Sequence, residues 1–385
     1  EIPKRDWSSD VCSSDLGYFF ISNTEVAIVG DVVYHWDFET LTEQNAIPKR
    51  YNTRAISSNR RYLVEIGGLN DTSEFPVIVK DLVTGTVVRE VTLQGTDNRF
   101  ATDCTKLSSD GRYLVRTYGT TMDTSPKEIR LWDLQNPPNS TVLFNSESEV
   151  FLYGDVVDFS PDSRYLVAGS EQGNLYLWNL ESSALVWSKT EGNGTVFATK
   201  FTPDGKRILI DSMSTIWSDS SQMPDPVDNW LGLALLDAST GNLALDFEDL
   251  DQKSSGANYQ FTEDGKRLCA HPGSDIDFWD GETGQILSQF QLSSVEYFDL
   301  SVSPNSPVMA VKENISNTTS IRLFDYEKEQ EIQRIDTGLS IQSIGVSPDG
   351  KTVVTNGWTV VDGFSTPQLW LWDIASAQVI KTIDV

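Results

Sequence analysis

The sequence predicts an all-β protein assembled from repeated antiparallel four-stranded sheets, and three signals recurring in step predict it. The first is an apolar strand closing on an aromatic or apolar residue, or once on Lys, followed by Asp or Asn: Trp36-Asp37, Lys80-Asp81, Trp132-Asp133, Trp178-Asn179, Leu236-Asp237, Trp279-Asp280, Phe324-Asp325 and Trp372-Asp373. Their spacing runs from 43 residues (Asp237 to Asp280) to 58 (Asn179 to Asp237). The second is a turn of the form Ser-Pro-Asp-Gly, met as Ser57-Ser-Asn-Arg60, Ser108-Ser-Asp-Gly111, Ser160-Pro-Asp-Ser163, Thr202-Pro-Asp-Gly205, Thr262-Glu-Asp-Gly265, Ser303-Pro-Asn-Ser306 and Ser347-Pro-Asp-Gly350. The third is Asp-x-x-Thr-Gly, at Asp81 to Gly85, Asp237 to Gly241 and Asp280 to Gly284. Three registers agreeing over eight units predict a β-propeller, most simply with eight blades and alternatively with seven plus a leftover unit.

The stretch from Phe159 to Ser188 shows why each strand forms. A strand ends at Phe159, and Pro161 and Asp162 make the next four residues a turn, one by fixing φ and the other by bonding its own backbone. A second strand covers Tyr165 to Gly169, a third Leu175 to Leu180 after the Gln172-Gly173 turn, and a fourth Leu185 to Ser188. In the third strand Leu175 and Leu177 face one side, Tyr176 and Trp178 the other. Such a sheet must be covered on both faces, and like neighbours cover it. Because the units run in phase, the first and last blades are expected to meet by packing, without a shared sheet.

The Trp-Asp endings and Ser-Pro-Asp-Gly turns resemble the WD-repeat family over essentially Gly17 to Val385. The resemblance implies blades of four antiparallel strands around a central channel. No repeat carries the family's Gly-His dipeptide, so the His-centred hydrogen-bond network that the resemblance would imply is not formed. Lys80, Leu236 and Phe324 stand where the family has Trp. These are divergent repeats.

The first sixteen residues fit no repeat. Arg5 to Leu16 resembles the conceptual translation of a synthetic sequencing-library adapter, so residues 1–16 are expected to be non-native or disordered and residues 17–385 a single propeller domain. On this expectation the natural N-terminus, with any signal peptide or anchor, is missing.

The chain has 385 residues and a net charge of −27, which argues against nucleic-acid or anionic-membrane partners. No apolar run is long enough for a membrane-spanning helix, so no direct membrane insertion is expected of the visible chain. Cys12, Cys104 and Cys269 make no disulfide framework. The last two fall in strands of different repeats and are expected to be small buried hydrophobes. His35 and His271 are the only histidines, too few for a His-rich metal site. A calcium site among Asp219, Asp225 and Asp228 would suit oxygen ligands, but their spacing matches no Ca²⁺ loop. No Gly-x-Ser-x-Gly elbow, phosphate loop or dinucleotide fingerprint occurs. The Asp-x-x-Thr-Gly turns are similar to those of quinone-cofactor propellers, whose repeats carry a Trp shortly after the Gly. TVVREV, NLALDF and QILSQF follow here instead, and no cofactor, metal or catalytic residue is assigned.

Repeat length varies in one place, the connection between strands two and three: Gly68 to Pro76, Tyr118 to Lys127, Ser212 to Asn229, Lys312 to Thr319 and Asn356 to Pro367. In a meander these connections share one rim, which is therefore expected to be the binding face. Residues expected to contact a partner there are Phe75, Trp217, Asp219, Asp225, Asp228, Trp230, Trp358 and Phe364, where aromatics stand beside polar groups. The plainer role for Trp217 and Trp230 is to end strands and pack between blades. The expectation is a monomeric, non-enzymatic scaffold for a protein or peptide. The alternatives are a propeller enzyme with a site at the channel mouth, quinoprotein-like or hydrolytic, and an extracytoplasmic segment of a larger receptor or surface protein.

Overall fold

The computed structural model describes residues 18–20, 25–29, 32–37, 42–48, 53–57, 59–67, 74–94, 101–118, 127–146, 156–190, 194–214, 233–247, 259–262, 264–270, 275–291, 298–303, 305–315, 318–361 and 364–384. The fold is an all-β propeller, and its contacts group residues 47–256 into one compact unit and residues 17–46 with 257–385 into another.

The first unit holds four sheets, each a meander in chain order. They are β5–β8 (Thr53–Ile56, Tyr62–Ile66, Glu74–Asp81, Thr86–Gln94), β9–β12 (Ala101–Leu107, Tyr113–Tyr118, Lys127–Asp133, Ser140–Ser146), β13–β16 (Val157–Phe159, Tyr165–Gly169, Asn174–Asn179, Ala184–Thr190) and β17–β20 (Gly194–Phe201, Arg207–Ser214, Leu233–Asp237, Leu243–Asp246). The second unit holds four more: β1–β4 (Tyr18–Phe20, Glu25–Val29, Val32–Asp37, Thr42–Pro48), β21–β24 (Tyr259–Phe261, Arg267–Ala270, Asp275–Asp280, Ile286–Gln291), β25–β28 (Phe298–Val302, Val308–Ile315, Thr318–Asp325, Gln330–Asp336) and β29–β32 (Ser340–Val346, Thr352–Val361, Phe364–Asp373, Gln378–Asp384). All ladders with a described register are antiparallel, as at Leu166↔Trp178 in β14–β15. Within the second unit β1 lies alongside β29, and neither end sheet borrows a strand from the other.

Five of the Ser-Pro-Asp-Gly turns share one hydrogen-bond scheme, whereas Ser303 Oγ donates to the Ser347 carbonyl at 2.8 Å. The hydroxyls of Ser108, Ser160, Thr202, Thr262 and Ser347 donate to the carboxylates of Asp110, Asp162, Asp204, Asp264 and Asp349, at 2.6 to 2.7 Å. The same carboxylate accepts an amide two residues on, as from Arg112 and Arg164, while the hydroxyl oxygen accepts the amide opening the second strand, as from Tyr113 and Tyr165. The fourth turn residue has positive φ (Gly111 68°, Gly205 69°, Ser163 59°), which is why Gly recurs there. Neighbouring turns are also tied: Asp110 N–H donates to Ser163 Oγ at 3.1 Å.

The Asp of each Trp-Asp pair has an equally specific task. Asp81, Asp237, Asp280 and Asp325 each accept the backbone amides two and three residues on, closing the turn into the fourth strand. The residue after that pair lies at positive φ, as at Gly85, Gly241 and Gly284. The Asp-x-x-Thr-Gly signal is therefore a turn device, fully accounted for by backbone capping.

Cores form between sheets. Val64, Val77 and Val79 pack on Leu114 and Trp132; Val115, Ile129 and Leu131 on Val157, Phe159 and Trp178; Ile276 and Phe278 on Met309, Val311 and Phe324. Both faces of the second and third strands are covered, as the alternation of Leu175, Tyr176, Leu177 and Trp178 predicts, while fourth strands such as Ala184–Thr190 are largely exposed. Side chains on the first strands add polar ties. Asp158 accepts Phe201 N–H (2.8 Å), Gln260 accepts Val302 N–H (3.2 Å) and Ser301 accepts Val346 N–H (3.0 Å). Cys269 is buried with its thiol 3.9 Å from the Met309 sulfur, and burial raises its pKa well above the ordinary value. Among the described residues no helix is long and apolar enough to cross a membrane.

Candidate binding face

The second-to-third-strand connections leave the end of each sheet opposite the Ser-Pro-Asp-Gly turns. Two of the five expected loops are instead continued β-ladder. β30 and β31 pair from Thr352↔Asp373 out to Val361↔Phe364, so most of Asn356 to Pro367 is paired strand. β26 and β27 likewise pair out to Ile315↔Thr318 within Lys312 to Thr319. The connection expected from Gly68 to Pro76 is shorter than that, because β7 begins at Glu74.

Phe75 therefore does not belong to the binding set. It lies in β7, is 1% exposed and meets the Trp132 ring edge-on, with centroids 5.7 Å apart. The correction has a simple cause: position 75 pairs with buried Leu93 across the β7–β8 ladder and shares its inward face. Trp358 is on β30, paired with Ser340 and Pro367, and is 41% exposed. Phe364 opens β31 opposite Val361. Trp358 and Phe364 are thus brought onto one hairpin. Trp217, Asp219, Asp225, Asp228 and Trp230 lie outside the described residues. Among the described residues no group of three or more His, Cys, Asp or Glu is placed to hold a metal.

Beneath the hairpin, β29 carries a bulge between Ile341 and Ser343, with Gln342 as the extra residue. A bulge disrupts the ladder and leaves backbone groups to be satisfied otherwise. Three side chains do this. Lys312 Nζ donates to the Gln342 carbonyl, Asp299 accepts Ile344 N–H at 2.8 Å, and Asn356 Oδ1 accepts both the amide (2.9 Å) and hydroxyl (2.8 Å) of Ser343. Burial lowers the Lys312 pKa, and the Asp299 charge opposes that shift. Sequence reading missed this group. Its signal was a Lys-Glu-Asn run inside an otherwise apolar strand, Val308 to Ile315.

Glu313, next to Lys312, is fully buried and paired with Arg322 at 2.9 Å, and Arg322 also reaches Glu331 at 2.7 Å. Burial works against the guanidinium charge, but the two carboxylates outweigh it and raise the Arg322 pKa. In β5–β8, Lys80 pairs with Glu65 at 2.8 Å with both side chains buried, so the residue standing where the family has Trp forms a buried ion pair. These pairs tie strands within their sheets.

Comparison with known proteins agrees with the fold. Residues 155–179 match the family described as WD domain, G-beta repeat. An uncharacterized WD repeat-containing protein of Deinococcus radiodurans is 30% identical over 166 residues, covering 41% of this chain and 59% of that protein. The pre-rRNA-processing protein crb3/ipi3 of Schizosaccharomyces pombe is 23% identical over 281 residues, covering 59% of this chain and 57% of the other. The chain thus spans less than two thirds of the length of these relatives. Among solved structures, the dihydro-heme d1 dehydrogenase NirN superposes with a TM-score of 0.61 at 15% identity, over 96% of this chain and 73% of its own. A eukaryotic initiation factor superposes at 0.56 and 13% identity, over 96% and 88%. At such identities the superpositions speak for the fold alone. With Trp-Asp and Ser-Pro-Asp turns and a WD-domain match at residues 155–179, the chain is a β-propeller whose repeats are similar to those of WD-repeat proteins.

Proposed function

We propose that this propeller is a non-enzymatic scaffold that binds a protein or peptide through the rim carrying the second-to-third-strand connections. The observation carrying this reading is the contrast between rims. One is built from near-identical turns that satisfy their own polar groups, while the other varies in length and presents Trp358 on an outreaching hairpin. Variation confined to one face of a repeat protein marks where binding is tuned. WD-repeat relatives support an interaction role, and the charge of −27 disfavours nucleic acid as the partner. The reading extends to the part of the rim outside the described residues, where Trp217, Asp219, Asp225, Asp228 and Trp230 are proposed as further contacts.

The test compares the purified propeller with two variants, one with residues 359–366 replaced by Asn-Gly and one with residues 215–229 replaced by a short Gly-Ser turn. Crosslinking and mass spectrometry would identify the bound proteins. Specific partners retained in full by both variants would sink the assignment of this face.

A further inference from the structure

The β30–β31 ladder outruns the strands on both sides of it. β29 begins at Ser340, opposite Trp358, and β32 ends opposite Gln368 at Asp384. Val360 and Val361 pair with Ser365 and Phe364 beyond both of these limits. A two-stranded ribbon is marginal in water by itself, and the outer edges of such a ribbon offer backbone donors and acceptors to another strand. The hairpin β26–β27 shows what a secured ribbon looks like: Thr337 donates both its amide and its hydroxyl to the Thr319 carbonyl, at 3.2 and 2.6 Å.

The two strands of the ribbon carry no basic side chain of their own. From Thr352 to Ile380 the sequence contains no Lys or Arg. In sequence Asp362 follows β30, Asp384 takes the register position opposite Gln368 at the base, and the whole chain carries −27. Trp358, half-exposed on the rung next to the base, offers an aromatic face to a cation. We propose that the ribbon docks a basic, extended segment of a partner protein, which adds as a strand along the edge of Val360–Val361 or Phe364–Thr366, with an Arg or Lys over the Trp358 ring. Backbone pairing supplies the register and charge supplies the selectivity. The inference rests on the scaffold reading and narrows its partner to a chemical class.

Two fluorescein-labelled peptides of equal length, one alternating Arg and Thr and one alternating Glu and Thr, serve as probes in anisotropy titrations. They are run against the unaltered protein, Trp358→Ala and the variant with residues 359–366 replaced by Asn-Gly. The expected result is binding of the Arg-Thr peptide only, weakened about tenfold by Trp358→Ala and abolished by ribbon replacement, with both variants keeping the unaltered thermal midpoint. Hydrogen exchange should show new amide protection within residues 359–366 when that peptide is bound. Equal binding of the Arg-Thr peptide to the ribbon-replaced variant would mean diffuse attraction to an acidic protein and overturns the proposal, as does binding without new protection. If ribbon replacement removes natural partners yet the Arg-Thr peptide does not bind, the scaffold reading stands and this inference fails.

Discussion

Ser160 to Arg164 and Trp358 to Thr366 lie at opposite ends of their sheets and differ in where their polar groups find partners. In the first, one buried hydroxyl donates to Asp162 and accepts the Tyr165 amide, and the same pattern repeats from sheet to sheet. In the second, strands run on past their neighbours and a large aromatic stands half in solvent. A turn whose donors and acceptors are all committed locally has little left to offer a partner. A ribbon whose edge extends beyond its sheet has a row of them. The difference teaches that uniformity at one rim reflects structural duty, and it directs the search for binding to the other.

The comparison breaks first at the core that both rims depend on. Trp132 is 0% exposed, packs edge-on against Phe75 and donates its indole N–H to the Gln94 carbonyl at 3.2 Å. Trp132→Ala should cost about 3–5 kcal/mol in denaturant unfolding. A cost below ~1 kcal/mol would mean the sheets do not rely on this contact.

Ser160→Ala sharpens the comparison at the turn rim. It strips a buried turn of the acceptor for Tyr165 N–H and of the donor to Asp162, and should cost about 1–3 kcal/mol. Ser108→Ala and Ser347→Ala should fall in the same range, because their turns use the same bonds. A wide scatter among the three, measured by urea denaturation at constant m-value, would show that the turns are alike in sequence but not in energetic role.

Acid should loosen the turn rim before anything else. The carboxyls of Asp237 and Asp373 are held below the ordinary range chiefly by hydroxyl donors, Ser239 and Ser376, and that of Asp280 by the Thr283 amide. For Asp81, Asp133 and Asp325 burial pushes upward, but backbone amides, Arg61, Arg112 and Lys328 outweigh it and the net shift is down. A folded-state pKa below the unfolded value means the stabilisation is complete above the unfolded value, roughly 4, and is lost as pH falls through the folded one. Asp204 and Asp264 are lowered as well, while Asp158 and Glu171, raised by burial, work in the opposite sense, two groups against eight. The thermal midpoint should therefore hold between about pH 5 and 7 and drop below about 4. A midpoint unchanged at pH 3 would contradict the capping role of these aspartates.

Most of the fold was legible in the sequence because its signals are local. Pro161, Asp162 and Gly173 act within a few residues of themselves, and the Asp after each Trp caps its own turn. What was not legible depends on contacts between strands far apart in sequence. Phe75 reads as a loop aromatic until its ladder partner Leu93 fixes its direction. The Asn356 to Pro367 stretch reads as a loop because Gly357 and Pro367 are turn-like residues, although Gly357 has a packing reason: a Cβ there would lie 2.0 Å from the Ser340 carbonyl oxygen. The Asp299, Lys312 and Asn356 stitching of the β29 bulge ties three strands to a fourth, and no single stretch announces it.

The smallest expected effect on stability is also the sharpest test of the comparison. Trp358 and Trp132 are the same residue type, each in a strand paired on both sides, yet one is 41% exposed and the other 0%. Removing a side chain that already contacts water forfeits little transfer free energy and leaves no enclosed cavity. Trp358→Ala should thus shift unfolding by no more than about 0.5 kcal/mol in either direction. Such a result would fit the proposal that Trp358 contacts a partner. Guanidinium melts of Trp358→Ala and Trp132→Ala under one set of conditions decide the matter. Should Trp358→Ala cost as much as Trp132→Ala, its ring is buried against the rim in solution, and the outreaching hairpin is a structural brace with no docking edge.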